Sequence, residues 1–211
     1  MTCSDIKEQL FEDINRPDKF WREYTFYKDA KASALSQESK EELIEKSIQT
    51  ALDIYKKYVK DYAGCSLEEW LAQLSLQVEH RYFYEQYEIQ KYIALYVPSE
   101  RTIVLQHKAL NKVHEFIMQN DLCSMFSMEE IRCIAIYHEI FHHIETITPG
   151  IFTASNMIKK RFFLTFSYHT CCSAASEVAA VEFSRLMSQS GCHPCVYERL
   201  FNMALSADVL N

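Results

Sequence analysis

Glycine is nearly missing from this chain, with three residues in 211, and only four prolines accompany them. These residues gather at a few points (Pro17, Gly64, Pro98, Pro149-Gly150, Gly191, Pro194) and leave long stretches without a breaker. An all-β architecture needs frequent turns, so the scarcity favours a helix-rich fold. Basic excess is missing too. A net charge of −7 and a pI of about 5.6 argue against direct nucleic-acid binding, because phosphate contacts need a basic surface. No apolar run approaches the roughly 20 residues of a membrane helix. The first residues, Met1-Thr2-Cys3-Ser4-Asp5, lack a basic-then-apolar signal pattern. The expectation is a cytoplasmic chain with no membrane partner, whose eight cysteines are reduced thiols.

What is present is enough for a core: 48% hydrophobic and 24% charged residues, a balance typical of folded domains rather than disordered ones. The length suits one domain with a helical extension, divided as 1–75 and 76–211. Ser39-Lys40-Glu41-Glu42 reads as a capping box before a helix with Ile44, Ile48, Ala51, Leu52, Tyr55 and Val59 on one face. Ser66-Leu67-Glu68-Glu69 opens another helix. From about Gln77 to Gln106 aromatic and β-branched runs replace the helical pattern. Pro98-Ser99-Glu100 turns between the last two of them, so the segment predicts a small antiparallel sheet of about three strands. The class is therefore α+β. Helices are predicted from His107 to Asn120, from Ser127 to near Thr148, from Ser173 to Gln189 and after Pro194. The basic run Lys159-Lys160-Arg161 reads as a solvated helix end.

The chemistry gathers at His138-Glu139-Ile140-Phe141-His142. Histidines four apart on a helix share a face, so both imidazoles can reach one zinc ion. Glu139 lies about 100° around the helix from His138, where it can reach a water without being a ligand. Ile131, Ile134, Ile136, Tyr137, Ile140, Phe141 and Ile144 surround the box and mark the helix as buried. Polar groups there are costly unless metal or hydrogen bonds satisfy them, so a pair of merely hydrogen-bonded core histidines is the competing reading. A catalytic zinc needs a third protein ligand. Glu177 is the candidate, because its same-face neighbours Ser173, Ala174, Ala180, Val181 and Ser184 are small enough for two helices to come close. Glu182 is about 140° away and points elsewhere. Glu145 lies on the ligand face near the helix end, in a position to support a ligand. A di-iron site needs a second E-x-x-H unit, and none occurs. Cys192-His193-Pro194-Cys195 is a lone C-x-x-C and reads as a reduced turn before a helix. His114-Glu115 starts a second box, but Met118 stands where a ligand is needed.

These residues together resemble the ImmA/IrrE-type zinc metallopeptidases. The likeness includes Tyr92-Ile93-Ala94-Leu95-Tyr96-Val97-Pro98, the strand Thr102-Ile103-Val104-Leu105, the box itself, and an E-x-x-A-x-x-F pattern at Glu177, Ala180 and Phe183. It covers roughly residues 75–190. It implies a zincin-like (gluzincin) fold, Zn²⁺ bound by His138, His142 and Glu177, and Glu139 as the catalytic glutamate. It also implies a peptide or protein substrate, such as a transcriptional regulator. The family often has glycine where Phe141 stands, and a proline-ended segment where Leu186-Met187-Ser188-Gln189 occurs. Candidate donors for a developing oxyanion are His143, Tyr168 and His169. The alternative is a non-catalytic zinc-binding interaction protein, in which Glu145 or His143 closes the fourth coordination position.

Overall fold

The computed structural model describes residues 2–33, 35–61, 64–82, 92–162 and 166–207, with the backbone alone for 31, 33, 157–162, 166–171 and 207. Helices α1 (Cys3–Ile14), α2 (Asp18–Tyr27), α3 (Ala30–Ser33), α4 (Gln37–Asp61) and α5 (Leu67–Gln73) come first. Strands β1 (Gln77–Arg81), β2 (Ala94–Val97) and β3 (Thr102–Gln106) follow, then α6 (His107–Gln119), α7 (Met128–Ile147) and α8 (Phe152–Ser155). The chain continues through β4 (Met157–Phe162) and β5 (Phe166–Cys171) to α9 (Ser173–Ser188) and α10 (Pro194–Ala207). The fold is mixed helix and sheet, with helix dominant.

Local chemistry sets the helix that matters most. The Ser127 hydroxyl accepts from the Glu130 N–H at 3.1 Å, which starts α7 and satisfies an otherwise orphaned amide. The helix stops at Thr148, before Pro149 and Gly150, whose φ of 72° suits a residue without a Cβ. Ser66 and Glu69 form the reciprocal box that starts α5. The start of α4 differs from expectation. Ser39 lies inside the helix, and Ser36 is the residue whose hydroxyl accepts from the Ser39 N–H at 3.2 Å.

The three-stranded sheet is mixed, which corrects the antiparallel sheet expected from the sequence. Its order is β1-β3-β2. β2 and β3 form the expected hairpin, with Tyr96 opposite Ile103, whereas β1 pairs parallel to β3, with Val78 opposite Ile103. β3 is buried along its whole length, so water cannot satisfy its backbone groups and both edges need a partner strand. That demand puts β3 in the middle and leaves β2 on an edge. A second sheet, the antiparallel hairpin β4–β5, was not anticipated, and Lys159-Lys160-Arg161 lies on β4 rather than at a helix end.

Packing brings the two site helices together. α9 lies against α7, α4 and α2, and its buried Ala174, Ala175, Ala179 and Ala180 permit the close approach. Phe141 of α7 meets Phe183 of α9 with ring centroids 5.6 Å apart, and both rings are fully buried. The bulky residue inside the box thus anchors α7 on α9; deleting such a ring costs about 3–5 kcal/mol. One core runs from Ile6 and Leu10 of α1, through Trp70 of α5 and Ile140 of α7, to Leu200 of α10. The helices of residues 1–75 therefore share their core with the rest of the chain. No described helix is long and apolar enough to cross a membrane.

Candidate metal centre

The two histidines of α7 converge as their spacing predicts. His138 Nε2 and His142 Nε2 are 3.1 Å apart. From α9, Glu177 directs one carboxylate oxygen to each ring, Oε2 at 3.4 Å from His138 Nε2 and Oε1 at 3.7 Å from His142 Nε2. Two donors bound to one tetrahedral zinc at about 2.0–2.1 Å stand about 3.3 Å apart. The observed separations bracket that value, so a single ion fits between the donors. Among the described residues this trio is the group of His, Cys, Asp and Glu side chains placed to hold a metal. Glu182 points away, as expected, and pairs with Arg185 at 2.7 Å.

The electrostatics favour a cation. Three carboxylates, Glu139, Glu145 and Glu177, act on the two imidazoles. Burial opposes charge on His142, but its hydrogen bond to Glu145 and the negative charges of Glu177 and Glu139 outweigh this and raise its pKa to about 9. Burial likewise opposes charge on Glu177, yet His138 and His142 hold its pKa down at about 2. The Glu177 side chain is 48% exposed, so solvent screens these contacts.

Glu145 acts from behind His142. Its Oε2 is 2.9 Å from His142 Nδ1, so a ring that yields one proton to a metal keeps the other at Nδ1 and presents Nε2 to the centre. The Ser176 hydroxyl donates to the same Oε2 at 2.6 Å and lies 3.3 Å from His142 Nδ1. Sequence reasoning missed Ser176. A small polar residue just before a ligand is the only signal it carries.

Glu139 is 8% exposed and is not one of the converging donors. Its Oε2 accepts the backbone N–H of Tyr96 at 2.8 Å, which ties α7 to the edge strand β2. Tyr96 was read only as a strand residue, and no side-chain pattern reveals a backbone donor. Its hydroxyl is also 2.8 Å from His143 Nδ1. His143 is buried at 1% exposure, and burial, with the positive charge of Arg101 second, pushes its pKa down. It is a neutral ring held beneath β2, apart from the donor trio. Tyr168 and His169 lie on β5, opposite Lys160 and Lys159; their side chains fall outside the described residues.

The centre opens on two cavities that meet at Glu139. One, of about 240 Å³, is lined in part by His138, Glu139 and Glu177. The other includes His142, Glu145, Leu95, Tyr96 and Pro98. Strand β2 therefore runs alongside the whole cleft. Ile93 accepts from Gln106 N–H of β3 at 2.8 Å, so by alternation the backbone groups of Ala94 and Tyr96 face the cleft.

His114 is exposed on α6, away from the trio. The Cys192-x-x-Cys195 turn starts α10: the Cys195 N–H donates to His193 Nδ1 at 3.3 Å, and Cys195 Sγ lies 3.2 Å from Thr25 Oγ1. Compared with protein-family models, with curated proteins and with solved structures, the chain has no match, so the functional argument rests on this geometry.

Proposed function

We propose that the protein is a zinc-dependent peptidase of the ImmA/IrrE-like kind, with His138, His142 and Glu177 as ligands and Glu139 as general base. One observation carries the reading. Three donors stand at the mutual spacing of a single tetrahedral zinc, and a separate carboxylate, Glu139, is held beside them by the Tyr96 N–H without joining them. Zinc in such a site supplies a water of lowered pKa and polarises the scissile carbonyl. The chain supplies the rest. Glu139 engages Tyr96 through Oε2, which leaves Oε1 to take the proton of the attacking water and then deliver it to the leaving amine. Ser176 and Glu145 hold His142 in the tautomer that binds metal. The outward N–H and C=O of Ala94 and the C=O of Tyr96 offer an extended substrate a strand to pair with, while the Tyr96 N–H stays on Glu139. A reducing, cytoplasmic setting belongs to the proposal and suits Cys195, whose thiol burial pushes up to about 12.

The alternative, a closed non-catalytic zinc site, draws less support. It needs Glu145 or His143 in the fourth position, and Glu145 sits behind His142 at Nδ1 while His143 is turned to Tyr96. The test is elemental analysis paired with a peptide-hydrolysis assay. Purified protein is expected to carry about one zinc per chain, and Glu139→Gln to keep the metal and lose hydrolysis. A folded protein that takes up no zinc, or a Glu139→Gln variant as active as the parent, overturns the reading.

A further inference from the structure

The two cavities at Glu139 differ in kind, and the difference bears on substrate choice. The cavity on the His138 side is a pit between α7, α9 and α10. Ile131, Ile134 and Ala135 form one wall, Val181 another, and Tyr197 and Phe201 close it. The Tyr197 hydroxyl is engaged with Cys192 and Glu130, which leaves its ring to line the pit. Among the described residues of the wall, the cation Lys28 is occupied: its Nζ lies 2.6 and 2.7 Å from the two carboxylate oxygens of Glu198. About 240 Å³ is the room of roughly eight waters, far more than a methyl group fills and enough for one large side chain. Water in a pit with such walls is readily displaced by an apolar group.

Resting on the peptidase reading, we propose that this pit selects the substrate: it receives one large aliphatic or aromatic side chain adjoining the scissile bond. His138, Glu139 and Glu177 line the same pit, so a side chain seated there leaves its neighbouring peptide bond beside the donor trio. A charged side chain would give up its water for walls that are mainly apolar, whose polar members include Ser184, Asn202, the carboxylates of Glu139 and Glu177 and the mutually satisfied Lys28–Glu198 pair.

The experiment uses short fluorescent peptides that differ at one position, Leu, Phe, Trp, Ala or Asp, and two variants that change the pit in opposite senses. Zinc-loaded protein is expected to cleave beside Leu or Phe at least about tenfold faster than beside Ala or Asp. Val181→Phe, which fills the pit, is expected to abolish that preference. Ile134→Ala, which enlarges it, is expected to extend it to Trp. Zinc content should stay at the parent level in both variants, which separates a pit effect from misfolding. Binding of the same peptides to zinc-loaded Glu139→Gln separates the two readings. Cleavage with no apolar preference overturns the pit and leaves the peptidase. Absence of cleavage, with apolar-selective binding that Val181→Phe removes, upholds the pit and overturns the peptidase. Neither cleavage nor selective binding overturns both.

Discussion

The chain carries two short motifs built from metal-binding residue types, and the fold treats them in opposite ways. At His138–His142 the side-chain donors turn toward one another, and a third donor arrives from a facing helix. At Cys192–Cys195 the same kinds of residue are consumed by packing. His193 stacks on Trp21 with centroids 5.9 Å apart, and Cys195 lies against Thr25. The acid–base chemistry follows. Carboxylates draw positive charge to His142, whereas burial pushes the His193 pKa down to about 4 and the Cys195 thiol up to about 12. A thiol must ionise to bind metal, and around Cys195 the Thr25 hydrogen bond and the Lys28 charge are outweighed by the cost of burying a thiolate. Ligand types at a plausible spacing are therefore insufficient. What separates the regions is whether charge of the opposite sign converges on the donors.

The largest expected effect breaks the comparison outright. His142→Ala removes one donor of three and should reduce bound zinc, measured by elemental analysis after dialysis, to background. Cys192→Ser should leave about one zinc per chain in place. If the cysteine change removes the metal and the histidine change does not, the two regions have been assigned the wrong way round.

A second prediction uses the opposite proton linkage of the two regions. His193 accepts a hydrogen bond at Nδ1, so its proton is on Nε2, a buried atom with no partner among the described residues. Protonating the ring would bury a charge. Burial holds its folded pKa at about 4, below the ordinary 6.5 of an imidazole. The unfolded chain therefore binds the proton first as pH falls. The stabilisation is complete above about pH 6.5 and is lost toward pH 4, a change of about 3 kcal/mol at most. His142 in metal-free protein has the reverse sign, because its pKa is raised: its contribution is present below about pH 6.5 and lost as pH rises through about 9. Urea unfolding of chelated protein across pH should show His193→Phe flattening the acid limb alone. Loss of the alkaline limb in that variant instead would refute the assignment.

How far the sequence discloses these two regions has a physical pattern. The ends of α7, the existence of α9 and the approach of Glu177 to the histidines are legible, because caps, small residues and a 3.6-residue period are local signals. The parallel pairing of β1 with β3 is not, since strand order depends on which strand the core buries on both faces. The β4–β5 hairpin is hidden because its strand residues include the basic run Lys159-Lys160-Arg161, which has no apolar alternation. Within the site, Glu145 is legible from its place on the ligand face. The Tyr96 N–H is invisible, since any residue there offers the same donor. The resemblance to zinc peptidases rests on the legible parts alone.

Among smaller effects, Glu145→Gln sharpens the account of what makes the histidine region attractive to a cation. The amide still accepts from His142 Nδ1–H but carries no charge, so zinc affinity is expected to fall about 10–100-fold. Competition with a chelator of known affinity measures it. An unchanged affinity would show that the negative charge behind His142 is not what distinguishes the site from the cysteine turn.

The smallest effect isolates Ser176, which touches no ligand atom of the centre. Its hydroxyl donates to the buried Glu145 Oε2, the same oxygen that orients His142, while Glu145 Oε1 is buried with no partner among the described residues. In Ser176→Ala that carboxylate loses a donor it cannot replace from water, at a cost of about 1 kcal/mol. Because metal binding depends on Glu145 remaining charged and in place, the cost should appear as roughly fivefold weaker zinc affinity, with little change in thermal unfolding of the chelated protein. Ser176→Thr, which keeps the hydroxyl, should recover most of the loss. Equal losses in both variants would mean that the small size of residue 176, needed where α9 meets α7, matters more than its hydrogen bond.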